Sequence, residues 1–322
     1  MTIFTGITIF LFTLLVVVAV MIGRMRSLFG AVMLSGIFSL LSACLFVIMD
    51  AVDVAFTEAA VGAGISTILM LMVLNLTSDK ESKPTEASVF PMLIALITGA
   101  TLIYATQDMP HFGDPTAYIH TSATADHYLN NSFADSHIPN IVTTVLASYR
   151  SYDTLGETTV VLTAAVAVMM LLGRGREITQ IIEEKEPVLA VGGKMLIPYI
   201  LLYALYVQFH GDFGPGGGFQ AGVIFAAAYI LHALVYGLKR TEQAAPRNII
   251  EKLIPLGVLL YAGVGIWCVV KGGQFLEYNV LNPEHPAHGQ HLGILLVELG
   301  VGITVFSAML MIFYKFALRG RA

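Results

Sequence analysis

Asp53, Glu58, Glu157, His232 and Glu298 are ionisable side chains within or at the edge of long apolar runs of this 322-residue chain. A carboxylate withdrawn from water can hold a proton or, once it has lost it, a cation. A histidine in the same surroundings can relay a proton. Side chains of this kind cost about 2.5–3.5 kcal/mol at the centre of a membrane helix, so each one asks for a reason.

Asp53 and Glu58 share the run Asp53-Val-Ala-Phe-Thr-Glu58-Ala-Ala-Val-Gly62-Ala-Gly64. Five residues along a helix separate them by about 7.5 Å. Ala and Gly around Glu58 let a neighbouring helix come close. Glu58 reads either as a protonatable group in an ion path or as a tie between helices. The run Tyr149-Arg150-Ser151-Tyr152-Asp153-Thr154-Leu155-Gly156-Glu157 offers Asp153 as a helix cap and Arg150 with Asp153 as a structural ion pair. Glu157 is then left for transport. Glu298 lies about a third of the way into an apolar run with Gly293, Gly300 and Gly302. His232 reads as mid-helix, either a relay or a satisfied core residue.

The segment from His210 to Gly222 is of another kind. His210, Gly211, Asp212, Phe213, Gly214, Pro215, Gly216, Gly217, Gly218 and Phe219 describe a backbone that turns tightly and approaches its neighbours closely. Irregular backbone at a membrane survives where it is buried in protein or lines water. It reads as a structural or gating loop. It has no Lys-Ser/Thr after it, so it is not a phosphate cradle. His285, His288 and His291 are spaced by three and read as part of a solvated loop, not as metal ligands.

Membrane helices must position these residues. Charged residues make up 12% of the chain, against about 25% in ordinary domains, and mean hydropathy is +0.77. Apolar runs long enough to span a bilayer fall at 2–22, 28–49, 54–76, 89–107, 155–173, 194–210, 217–237, 252–270 and 290–314. The expectation is an all-α polytopic membrane protein of about nine helices. The first run has no basic residue before it and reads as a retained helix rather than a signal peptide. With the N-terminus outside, every Lys and Arg except Arg150 and Lys271 falls in an inner loop or the C-terminal tail. The C-terminus is then cytoplasmic.

The longest outer loop, 108–154, is polar. Its second half, 138–149, has helical spacing and suggests a short helix lying at the outer interface. On the inner side the stretch 177–186 also reads as helical, broken by Pro187, Gly192 and Gly193 before the next span. Three blocks result: 1–80 with three helices, 81–186 with two helices and the long loop, and 187–322 with four.

Other functions lack their residues. There is no basic patch for nucleic acid. Cys44 and Cys268 lie in apolar runs without metal-ligand spacing. No redox-cofactor motif appears, and no nucleophile stands beside a base.

Two of these motifs, and a third more loosely, resemble a known family. The run from His210 to Gly222, with Pro-Gly-Gly-Gly-Phe-Gln at its core, resembles the signature of the B subunit of Mrp-type sodium/proton antiporters. It also resembles the matching small component of membrane-bound hydrogenases. The resemblance runs through 187–322 to His291-Leu-Gly-Ile and Glu298-Leu-Gly-Val. Gly-Asp-Phe-Gly stands where the antiporter protein usually has a shorter, Asn-containing link. The runs from Asp53 to Gly64 and from Asn140 to Glu157 resemble helical blocks in the C-terminal part of the large Mrp A subunit. Hydrogenase complexes carry those blocks as separate small proteins.

The resemblance implies a subunit of a multi-subunit antiporter in the cytoplasmic membrane of a bacterium or archaeon. Its partners would include large subunits like the proton channels of complex I. It implies exchange of H⁺ for Na⁺, or K⁺ or Li⁺, without a resident cofactor. Glu58 and Glu157 match acidic positions placed in or near the ion path, with Glu298, His232 and Asp53 as further candidates. The alternative is the membrane arm of a redox-driven ion pump; a third reading is a scaffold without an ion path.

Overall fold

The computed structural model describes residues 2–80, 89–173 and 187–319. Among them nine helices are long and apolar enough to cross a membrane, and no strand is present. They are α1 (Thr2–Arg24), α2 (Leu28–Ile48), α3 (Val52–Leu74), α4 (Val89–Thr106), α7 (Ser151–Leu172), α8 (Pro187–His210), α9 (Gly218–Tyr236), α11 (Arg247–Val270) and α12 (Pro286–Arg319). Shorter helices lie off the spans, among them α5 (Ala123–Ser136), α6 (141–149) and α10 (Leu238–Ala244). The stretch 177–186, expected to be helical, lies outside the described residues.

The start of α2 is fastened to the segment after α3 by one side chain. Asp79 Oδ1 accepts from the Phe29 amide at 3.0 Å and from the Ser27 hydroxyl, while Ser27 Oγ caps Gly30. The first turn of α2 thus has partners for amides that the helix itself leaves unpaired. Inside α3 the residues Ala59–Ser66 are wound as a π-helix. Ser66 and Thr67 both donate to the Gly62 carbonyl, which holds the wider turn.

The centre of the molecule is α12, packed between α9 and α11 with α7 against it. Backbone meets backbone there. A Cβ on Gly257 of α11 would come within 2.3 Å of the Gly300 carbonyl. One on Gly218 of α9 would come within 2.0 Å of the Glu298 carbonyl. Without a hydrophobic drive between helices in lipid, such close dispersion contact is what joins them. Pro198 and Pro255 stand inside α8 and α11, as membrane helices tolerate.

Two expectations are corrected. The sixth span begins at Pro187, not after Gly193. Proline is suited to a first helical turn, and the bare face of Gly193 receives Val235, where an added Cβ would lie at 3.2 Å. The short helix expected within 138–149 forms as α6. It is tied to the protein by Tyr278, whose hydroxyl donates to the Ala147 carbonyl at 2.9 Å. Thr143 and Ala147 are buried, whereas Val142 and Leu146 stay exposed. His288 and His291 belong to the first turns of α12 rather than to a loop.

Candidate functional site

The glycine-rich loop, 211–217, is built by its neighbours. Val207 at the end of α8 accepts from the Gly217 amide at 3.0 Å, folding the chain back on itself. Gly217 has φ +119°, which side chains rarely adopt, and its missing Cβ is replaced by the Glu298 carboxylate, 3.2 Å from where that atom would stand. Asn140 secures the other side. Its amide group donates to the carbonyls of Gly211 and Gly214 at 3.0 and 2.9 Å, while its oxygen caps α6 through Val142. Thr143 donates to the Gly211 carbonyl at 2.6 Å. Asp212 meets His291 Nδ1 at 3.0 Å, which pins the loop to the start of α12.

Block 1–80 reaches the same place. The Gly216 amide donates to Asp53 Oδ1 at 3.2 Å, and Gln220 donates to the Thr57 hydroxyl at 2.9 Å. These contacts join residues 163 positions apart. Beneath them lies a cavity of about 520 Å³. Asp53 and Thr57 of α3 line it, with Thr143 and Leu146 of α6, Thr154, Glu157 and Thr158 of α7, residues 216–220, Tyr261 of α11, and Glu298 of α12. All three blocks contribute, and three carboxylates face one space.

The carboxylates differ in their surroundings. Asp53 is held by the loop amide. Glu298 is partly buried, lies against Gly211 and Gly217, and has Asp212 and Asp53 within electrostatic reach. Glu157 is exposed on the rim. Tyr261, fully buried, donates to the Ser151 carbonyl at 2.7 Å and forms part of the wall.

Other candidates stand apart. Glu58 does not line this cavity. Its Oε1 lies over Gly62, 2.6 Å from where a Cβ would be, beside Ser39 of α2. His210 faces away from the carboxylates. It stacks on Tyr206 with ring centres 4.8 Å apart and, with Pro215, lines a second cavity of about 470 Å³ against α2 and α3. His232 is not mid-helix but one turn from the end of α9, where its Nδ1 lies 2.6 Å from the Thr241 hydroxyl of α10. Arg150 and Asp153 form a half-exposed pair at 2.6 Å. Tyr149 donates to Asp135 at 2.5 Å; burial, then that carboxylate, push its hydroxyl above the ordinary value, so it remains a donor. Among the described residues no three His, Cys, Asp or Glu side chains stand close enough together to hold a metal ion.

Residue type and spacing do not single out Asn140, Thr57, Gln220 or Tyr261 as site residues. Asn140 and Gln220 lie within the quoted motifs, and Thr57 stands out only as a hydroxyl near Glu58. Tyr261 carries no signal beyond a polar tip in an apolar run.

A multi-pass helical bundle with an acidic cavity under a glycine-rich loop is the class that these features define. Comparison with known proteins makes it specific. Residues 188–311 match the model of a domain related to the MnhB subunit of Na⁺/H⁺ antiporters. Residues 13–79 and 90–187 match the models of the D and E subunits of MBH. The putative antiporter subunit mnhB2 of Staphylococcus haemolyticus is 31% identical over 136 residues, which are 39% of this chain and 96% of that protein. The chain belongs to this family of antiporter B subunits. A probable K⁺/H⁺ antiporter protein of Rhizobium meliloti, named as a joint A/B subunit, is 25% identical over 91% of this chain. The structure of the Mrp complex from Dietzia sp. DQ12-45-1b contains a chain that matches 97% of this one at 25% identity and a TM-score of 0.77. This chain spans 32% and 35% of the lengths of those two larger proteins.

Proposed function

We propose that this chain is a membrane subunit of a monovalent-cation/proton antiporter, and that the cavity under the glycine-rich loop is a station on the cation's path. The observation that carries the proposal is the convergence of Asp53, Glu157 and Glu298, from three separate blocks, on one space. Acids that line one cavity favour keeping a proton or attracting a cation there. Thr154 and Thr158 add oxygen ligands of the kind alkali cations accept. Na⁺ is the first candidate, with K⁺ and Li⁺ as alternatives. Glu58, on the far face of α3, would serve a neighbouring step toward α2, and His232 a proton step at the opposite end. The distribution of basic residues supports an N-terminus outside and a cytoplasmic C-terminus in the cytoplasmic membrane of a bacterium or archaeon.

The chain is not proposed to transport alone. Glu157 is exposed two turns into a membrane-spanning helix, where lipid is a poor neighbour for a charge. A charge there must face water or another subunit, and large proton-channel subunits like those of complex I are the expected partners. The matches to the D and E subunits of MBH keep a redox-driven pump as the second reading; co-purified subunits bearing iron–sulfur motifs would favour it.

Glu298→Gln and Glu157→Gln, made in the whole complex and reconstituted in vesicles, test the proposal. Na⁺-driven proton flux should fall at least about tenfold for Glu298→Gln while the complex still assembles. Wild-type flux from both variants would remove the cavity from the mechanism. Loss of assembly in both would favour a scaffold.

A further inference from the structure

The cavity is larger and more apolar than an alkali cation needs. Its volume of about 520 Å³ lies within the roughly 300–1,000 Å³ range of small-molecule sites. Val142, Leu146, Val161, Phe219, Val297 and Val301 line it with apolar side chains. The charged groups on that wall are all acidic, and no Lys, Arg or His is among the lining residues. The Tyr261 and Thr57 hydroxyls are already engaged by protein partners. What remains is an apolar chamber with the carboxylate of Glu298 partly buried beneath the loop. One side is open: Val142, Leu146 and Val160 on its rim are 40%, 47% and 66% exposed, and Glu157 stands beside them. A ligand that suits this chamber has an apolar body and a single positive head.

We propose that the cavity binds amphipathic organic monocations, an ammonium head on an alkyl or aryl body, through the opening between α3, α6 and α7. The head lies beside Glu298 and Asp53, and the body covers Leu146, Val161 and Val301. A neutral body of the same size gains only the apolar contact. A zwitterion with a phosphate beside the ammonium, as in an ethanolamine lipid headgroup, brings that phosphate against the same three carboxylates and is disfavoured. Under the cation-path reading of the same site, such an amine competes with the transported cation.

The test uses the purified whole complex in mild detergent and phenethylammonium as the probe, with 2-phenylethanol as the neutral control. Phenethylammonium should raise the unfolding midpoint by about 2–5 °C, and 2-phenylethanol should not. The shift should be lost in Glu298→Gln. It should also be lost in Leu146→Trp, which fills the apolar rim at an exposed position and leaves the carboxylates in place. Equal shifts from both compounds, or a shift that survives Leu146→Trp, would overturn the proposal. In vesicles, phenethylammonium should raise the apparent KM for Na⁺ several-fold without lowering the maximal rate. A midpoint shift with unchanged flux would uphold the amine site and remove the cavity from the ion path. No shift, with flux abolished by Glu298→Gln, would overturn the amine site and leave the ion path intact.

Discussion

The helices α12 and α4 are both apolar membrane spans, yet they are used in opposite ways. Within α12, 61% of the apolar window is buried inside the chain; within α4, none is. The difference lies in which residues punctuate the apolar background. In α12, Gly293, Gly300 and Gly302 let Tyr278, Gly257 and Gln208 come within contact of the backbone. In α4, Gly99 has nothing within 4 Å of where a Cβ would stand. Hydropathy is similar in the two, 2.2 and 1.9, so it tells which segments enter the membrane and not which of them hold the molecule together. The carboxylate Glu298 belongs to the tightly held class.

Four substitutions would sharpen or break this contrast, beginning with the largest effect. Gly218→Ala drives a methyl into the Glu298 carbonyl at 2.0 Å, backbone against backbone. It should cost more than about 3 kcal/mol and leave little assembled complex on a native gel. A stable, active variant would mean that α9 and α12 are not locked. Asn140→Ala removes two hydrogen bonds to loop carbonyls and the cap of α6. A loss of about 2–3 kcal/mol is expected, read as a lower unfolding midpoint and as new protease cleavage within the loop 211–217. His291→Gln keeps a donor toward Asp212 and should cost less than about 1 kcal/mol, with flux near wild type; a large loss would show that the pair acts as charges rather than as a hydrogen bond. Gly99→Ala should be neutral or stabilise by up to about 1 kcal/mol. If it instead blocks assembly, a partner helix lies against α4 at that point.

The spans were legible because hydrophobic length is a local property. Apolar runs of about 20 residues mark a membrane helix whatever their neighbours do. Charged side chains inside those runs stood out for the same reason. The site itself was only half legible. Asp53, Glu157 and Glu298 are each conspicuous, but nothing in their spacing says that they face one cavity while Glu58 turns toward α2. The contacts that decide this, Asn140 with Gly211 and Gly216 with Asp53, span 71 and 163 residues. The π-helical turn after Glu58 also leaves no periodic mark, yet it lies at the base of the residue that faces the other way. By spacing alone His291 is one of three loop histidines; only the helix register places it against Asp212.

Gly218 and Gly257 clamp α12 from two sides by its main chain, at the residue that carries the central carboxylate and at Gly300 just beyond it. A helix gripped in this way cannot slide or turn without tearing apart both joints. Glu298 is therefore a fixed post. Any change in the chamber's shape then falls to its other walls, α3 with its widened middle and α7 at the rim, around a charge that stays where it is.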